Sequence, residues 1–462
     1  MNARRVLPVT AIAVACAWTG LVIAFGGLHF DDFINLGESR GALALTAEEW
    51  MKPAADGRWQ PLKRLTFDVF ARSAGLTFWP YALALAAAHV MMAAGTASAA
   101  RAIWQDRDQA RTAFLVALAA LNLTAYSTAN VGSLHGILCV ALTVWSVALA
   151  LHAALTPRGR AWRVALSMLA ILGACWFKES AVTAPALALY GVWLASRVRH
   201  VRVPEMVRAM AVPEAGIVLY LAARIAFDVP LIPARSRYAL GGSWPFVRNA
   251  LIVVANVLPW AAAAFLASGR HSRHERRHAI VAIVILAGAA VAAVFPSLLL
   301  TWTSPNFWYA AAPVAALGTA GLIYHAPRPD RAGSALALLM VLALAGVSAA
   351  AFERGAHRWG PYSEATVKQW GTFPRHGGRV VWFDADTHAR YGGLVRTVGP
   401  GLRLTQALRL ATGDQSIEAE TCISVLVAPL YVPQPGDELF MHSGGRLEPI
   451  DEPPPGRWYC LR

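Results

Sequence analysis

Apolar runs long enough to cross a lipid bilayer recur along most of this 462-residue chain, and no other feature limits its fold as strongly. A helix needs about twenty apolar residues to span the hydrocarbon layer, where every backbone N–H and C=O must be satisfied within the segment. Runs of that kind lie near 6–27, 76–98, 112–130, 133–155, 163–177, 180–196, 209–227, 246–267, 279–300, 307–325 and 332–352. The expected fold class is an α-helical polytopic membrane protein with about eleven spans. Composition agrees: 56% of residues are hydrophobic and only 15% charged. The net charge of +14 would suit a polyanion if the bases were gathered on one face, but they lie between the apolar runs. Arg4 and Arg5 precede the first, and clusters follow at Arg101 to Arg111, Arg158 to Arg163, Arg197 to Arg208, Arg270 to Arg277 and Arg328 to Arg331. That is the positive-inside pattern, and it needs no nucleic acid.

Alternating from a cytoplasmic N-terminus leaves 28–75, 228–245 and 353–462 outside, which requires an odd number of spans. The expected location is the plasma (inner) membrane, with the C-terminal region periplasmic or extracellular. The first run is too long for a cleavable signal and reads as a retained anchor. The chain divides into a membrane region, 1–352, which includes the outer loop 28–75, and a small α/β domain, 353–462. In the latter, 379–384 and 423–427 read as strands and 402–411 as a short helix stopped by Gly413, with prolines near Pro433 and Pro453 punctuating its end. Cys16, Cys139 and Cys175 fall within apolar runs. Cys422 and Cys460 lie in the hydrophilic region, where an oxidising compartment would favour a disulfide between them.

Charges at membrane depth are costly and therefore informative. Asp31 and Asp32 follow the first span at once, as an acidic interfacial cap or as a general base facing outward. Lys178-Glu179 interrupts two short apolar runs, either as a tight hairpin or as a broken element lining a cavity. The pair is either a structural ion pair or a holder of phosphate. Arg224, late in the seventh run, either snorkels to the interface or joins Arg235 and Arg237 in binding a phosphate. His89 and His135 are hydrogen-bonded core residues or cavity walls. His271, His274 and His278 sit among arginines, which disfavours a dication, and the sequence has no Walker loop, dinucleotide fingerprint or zinc signature.

Four stretches together resemble the GT-C class of membrane glycosyltransferases, most closely the bacterial relatives of the TPR-containing transmembrane O-mannosyltransferases. They are Phe30-Asp31-Asp32-Phe33; Gln60 to Phe67, followed by Trp79-Pro80-Tyr81 and His89; Phe177 to Val182 with Pro185; and Tyr220 to Arg224. The resemblance covers the chain to about residue 325 and includes no TPR array. Gln60 stands where that family usually has arginine, with Lys63 and Arg64 nearby, and Ser304 to Pro313 lacks the expected arginine-tyrosine pair.

The resemblance implies an inverting transfer of sugar from a polyprenyl-phosphate donor to an extracytoplasmic hydroxyl on a lipid, glycan or protein. In that reading Asp32, or else Asp31, is the base. Lys178 and Arg224 contact the donor phosphate with help from Lys63, Arg64, Arg235 and Arg237, and Glu179 orients Lys178. The only other ligand expected is membrane lipid, with no metal or cofactor. The competing readings are a transporter or flippase for an anionic or lipid-linked substrate, and a non-catalytic envelope scaffold. Convergence of Asp31 or Asp32 with Lys178 and Arg224 on one outward cavity would favour the transferase.

Overall fold

The computed structural model describes residues 3–28, 31–39, 44–46, 49–50, 52, 59–156, 159–229, 243–267, 273–299, 305–324, 331–354, 365–372, 379–385, 402–412, 414–424, 431, 434–443, 446–456 and 458–461. Most of them are helical: α1 (Ala3–Phe25), α2 (Asp31–Ser39), α3 (Pro61–Ser73), α4 (Trp79–Trp104), α5 (Arg107–Ala119), α6 (Leu121–Thr128), α7 (Leu134–Leu155) and α8 (Arg160–Phe177). Then come α9 (Ala184–Val198), α10 (Val203–Ala226), α11 (Ser243–Ala267), α12 (Arg273–Ala293), α13 (Ala311–Tyr324) and α14 (Arg331–Arg354). Short 3₁₀ turns at Val131–Ser133, Glu179–Thr183 and Pro305–Ala310 lead into α7, α9 and α13.

Seven helices among the described residues are long and apolar enough to cross a membrane: 79–104, 131–155, 160–177, 179–198, 203–226, 243–267 and 276–293. Shorter apolar helices occupy 9–25, 308–324 and 338–352. The outward face of these helices is apolar, with Leu169, Val218, Ile225, Val284 and Leu339 all more than 60% exposed. In water each such side chain would forgo about 1.5–3 kcal/mol of burial energy, so the surroundings that suit this surface are lipid.

The expected single span at 112–130 is instead two short helices, α5 and α6, broken at Ala120 (φ −73°, ψ 53°). Polar side chains account for the break. Asn122 Nδ2 donates to the Asn256 carbonyl at 2.7 Å and Asn122 Oδ1 accepts from Trp260 Nε1 at 2.9 Å, fastening α6 to α11. The Thr124 hydroxyl donates back to the Ala120 carbonyl, a bond that competes with the helical ladder.

The C-terminal region carries a five-stranded sheet ordered β4-β3-β1-β2-β5: β1 (Arg379–Asp384), β2 (Glu418–Ser424), β3 (Glu438–Ser443), β4 (Arg446–Pro449) and β5 (Trp458–Leu461). The central strand β1 runs parallel to β2 and β3, while β4 and β5 are antiparallel edges. β1 is covered on both faces, which explains its unbroken Val-Val-Trp-Phe core. Val380 and Trp382 belong to the same buried cluster as Leu404 and Leu408 of helix α15 (Leu402–Thr412), whereas Val381 and Phe383 pack with Leu439 and Trp458. β2 begins at Glu418 and ends at Ser424, where the apolar pattern suggests 423–427. Its polar start is accommodated by an ion pair of the buried Glu420, whose Oε1 meets NH1 of the half-buried Arg379 at 3.1 Å. Gly413, Pro433 and residues 425–430 lie outside the described residues.

Helix α15 also packs on α2. The C-terminal domain therefore rests on the helix that begins with the acidic pair.

Candidate functional site

Asp32 sits in the first turn of α2 and is fully buried. Its Oδ1 accepts the backbone N–H of Gly132, in the 3₁₀ turn that opens α7. A methyl group built on Gly132 would lie 3.0 Å from Asn35 Nδ2 and 3.1 Å from both Asn130 Oδ1 and Asp32 Oδ1. The carboxylate and two side-chain amides thus close around this backbone, leaving a tight fit for any side chain larger than hydrogen. Asp31 opens the same helix; its side chain lies outside the described residues.

One helical turn further along α7 is Gly136, and a methyl group built there would lie 3.7 Å from Lys178 Nζ. Lys178 reaches this point because α8 stops beneath it. Its backbone is extended (φ −164°, ψ 135°), between the end of α8 and the 3₁₀ turn Glu179–Thr183. α8 begins and α9 ends at the far end of α7, where Arg163 meets His152 and Arg199 meets Ala102, so the chain reverses here: of the two arrangements open from sequence, this is the hairpin. Cys139 Sγ, on α7, donates to the Lys178 carbonyl at 3.5 Å. Asp32 and Lys178 are therefore neighbours along the start of α7, about 6 Å apart in helical rise. The N-terminus of this 22-residue helix adds partial positive charge between them.

Glu179 points the other way. Its Oε2 accepts from Gln60 Nε2 at 2.7 Å and its Oε1 faces Arg224 NH1 at 3.4 Å. Arg224 is 2% exposed and does not snorkel; its NH1 also donates to Tyr220 Oη at 3.0 Å, one turn back on α10. Trp59 stacks on Tyr220 with ring centres 5.6 Å apart and 15° between planes, and meets Trp176 and Phe227. A buried charge held in this way relies on its partner, because breaking such a pair leaves an uncompensated ion.

The remaining sequence candidates divide. His135, between Gly132 and Gly136, meets the ring of Phe67 edge-on at 6.1 Å. Lys63 lies one turn before Phe67 on the same face of α3, toward this site. Arg64 lies on the adjoining face, where its charge acts on Glu49 and helps hold that carboxyl below its usual range, after the hydrogen bonds from Thr46. His89 is a structural tie. Its Nδ1 faces Tyr309 Oη at 2.7 Å and its Nε2 the Leu118 carbonyl at 3.1 Å, joining α4 to α5 and to the turn before α13. His89 also borders an apolar groove of about 400 Å³ between α1, α4, α5 and α6, lined by Trp18, Val22, Ala82, Ala86 and Leu121. Arg235 and Arg237 lie outside the described residues. Cys422 and Cys460 face one another across β2 and β5 and are joined as a disulfide. Among the described residues no three His, Cys, Asp or Glu side chains gather as a metal site.

Sequence reasoning missed Asn35, Trp59, Asn130, Gly132 and Gly136. A signal existed for one of them: Asn130-Val131-Gly132 interrupts apolar residues with turn-forming ones.

No family model matches the chain, and no curated protein matches it in sequence. Among solved structures it is similar to ArnT from Cupriavidus metallidurans, solved bound to undecaprenyl phosphate, with 13% identity, a TM-score of 0.50 and coverage of 90% of this chain and 92% of that one. The oligosaccharyltransferase AglB from Archaeoglobus fulgidus, solved with an inhibitory peptide and a dolichol-phosphate, aligns at 10% identity and a TM-score of 0.44, covering 90% of this chain and 69% of that one. The overall fold of this chain is thus similar to that of ArnT.

Proposed function

We propose that this protein is a GT-C class glycosyltransferase that moves a sugar from a polyprenyl-phosphate donor to a hydroxyl acceptor outside the cytoplasm. The observation that carries the proposal is the convergence of Asp32 and Lys178 on the start of α7. The fold shared with ArnT supports it.

In this reading Lys178 and the α7 N-terminus hold the donor phosphate as it becomes the leaving group. Asp32 takes the proton from the acceptor hydroxyl, which attacks the anomeric carbon from the face opposite the phosphate. The acceptor oxygen–sugar bond forms as the sugar–phosphate bond breaks, and configuration inverts. Asp31 is the alternative base on the same turn. Arg224, engaged with Glu179, fixes the chain break that presents Lys178, and is assigned as a positioning residue rather than a phosphate contact. The apolar groove between α1 and α4, whose Thr128 end precedes Gly132 by one turn, can take the first few isoprene units of the donor, the rest lying in lipid. Asp32 is enclosed, so the acceptor reaches it only when part of the covering structure moves. The disulfide and the basic ends of the helices agree with the side assigned to the C-terminal domain: outside an inner membrane, in an oxidising compartment.

The test is transfer by purified protein from a polyprenyl-phosphate sugar. Asp32→Asn is expected to lower the rate by about 10²–10⁴-fold while retaining the donor. Full transfer by both Asp31→Asn and Asp32→Asn would overturn the assignment of the base.

A further inference from the structure

At the opposite end of α7 from Lys178, about 24 Å along the helix from Gly136, three arginines from separate elements converge. Hydrogen bonds fix their placement. His152, in the last turn of α7, pairs through Nε2 with Ser98 Oγ of α4 at 3.3 Å, and Arg101 follows Ser98 by one turn. Arg163, in the first turn of α8, donates through NH1 to the His152 carbonyl at 3.4 Å. Arg199, just past α9, donates through NH2 to the Ala102 carbonyl at 2.6 Å. The charges of Arg163, Arg101 and Arg199 all bear on His152.

Among the described residues none of the three makes an ion pair. Among the described residues the acid whose charge acts on Arg199 is Glu205, and its carboxylate is taken by Arg202, at 2.7 Å from NH2 and 3.0 Å from Nε. Arg199 Nε is buried and has no hydrogen-bond partner among the described residues. A buried guanidinium N–H left unmet costs free energy, and like charges gathered at one place add to it; an anion between them relieves both.

The depth of the cluster indicates the kind of anion. Trp162 is 52% exposed, beside Arg163, whose guanidinium lies 5.3 Å from its ring centre. A half-exposed tryptophan at the end of an apolar helix marks the level of lipid headgroups. We propose that this end of the bundle binds the phosphodiester headgroup of an anionic membrane phospholipid between the guanidinium groups of Arg101, Arg163 and Arg199. The site is independent of the transferase reading and lies on the far side of the bundle from it.

The test uses the full-length protein, purified and delipidated in neutral detergent, with thermal unfolding followed during titration. The additives are dioleoyl phosphatidylglycerol, dioleoyl phosphatidylcholine and sodium phosphate at matched ionic strength. Phosphatidylglycerol alone should raise the midpoint, in a saturable manner. Arg163→Gln and Arg199→Gln should each weaken its apparent affinity about fivefold. Both side chains also cap helix ends, so Arg101→Gln, whose side chain caps none, keeps the test decisive if the others misfold; it too should weaken affinity about fivefold. An equal rise with phosphatidylcholine would show that only the acyl chains act. An equal rise with sodium phosphate would make free phosphate the ligand. An unchanged affinity in Arg101→Gln would show that the cluster is not the site. Each of these outcomes overturns the proposal.

Discussion

A methyl group on the Cα of Gly132 would be tight against Asp32, Asn35 and Asn130, each of which would have to give by a few tenths of an ångström. Gly132→Ala should therefore push Asp32 out of register with Lys178 without touching any charge. Misplacement of about 1 Å in such a site costs about 10²-fold in rate, so for this smaller shift transfer should fall by up to about tenfold while donor binding persists. Measuring kcat and donor KM separately checks this: a rise in KM with kcat intact would mean that Gly132 serves binding and not the base. The same residues show what a sequence discloses at this scale. Asp32 and Lys178 stand out because a charge in apolar surroundings is conspicuous. Gly132 and Asn130 read as ordinary turn residues until the fold brings Asp32, a hundred positions away, against them. Gln60 is a similar case. Next to Lys63 and Arg64 it looked like a lost cation, but its amide has a task of its own, donating to Glu179. Pairing of that kind lies in the third dimension and leaves no spacing to find.

Helix α2 links the two parts of the molecule. Its first turn carries Asp31 and Asp32, and Gly37, near its end, lies against Gln406 of α15. A methyl group on Gly37 would come within 2.3 Å of Gln406 Oε1 and 2.7 Å of its Cβ. The second of these atoms is close to the backbone and cannot swing away, so Gly37→Ala should prise α15 from α2. The expected result is faster amide exchange in 402–412, together with slower transfer and unchanged donor retention. Adding Gln406→Gly should restore both, since it removes the atoms that collide; if Gly37→Ala leaves exchange in 402–412 unchanged, α2 does not hold the domain. Elements differ in how far they could be read. Helix 402–412 was legible from its apolar spacing, and the break at Lys178 from the shortness of its flanking runs. The break at Ala120 was not, because Asn122 and Thr124 are too few to lower the apolar average of 112–130, and their effect depends on a partner in α11.

At the scale of the molecule, hydropathy disclosed the membrane region because lipid imposes one rule on every span. The C-terminal domain obeys subtler rules. Three of its five strands went unread, and the interaction that ties down one end of its sheet is polar. Arg379, at the start of β1, meets Asp437 Oδ2 at 2.8 Å and Glu420, and the Tyr431 hydroxyl donates to the same Asp437 oxygen. Burial pushes the Asp437 carboxyl up, but Arg379, Tyr431 and the Gln434 N–H outweigh it and hold the carboxyl below its ordinary 3.8. A carboxyl whose folded pKa is depressed stabilises the fold fully above its unfolded value, and that stabilisation is lost as pH falls through the lower, folded value. The domain should therefore keep this contribution down to about pH 4 and lose it below. Asp437→Asn should be less stable than the natural chain at neutral pH, and the gap should close on acidification. Urea unfolding of the full-length protein between neutral pH and about pH 3, followed by loss of amide-exchange protection in the β1 segment 379–384, measures that gap. A difference that stayed constant across the range would mean that Asp437 acts through packing alone, and the ionic account of the sheet would fail.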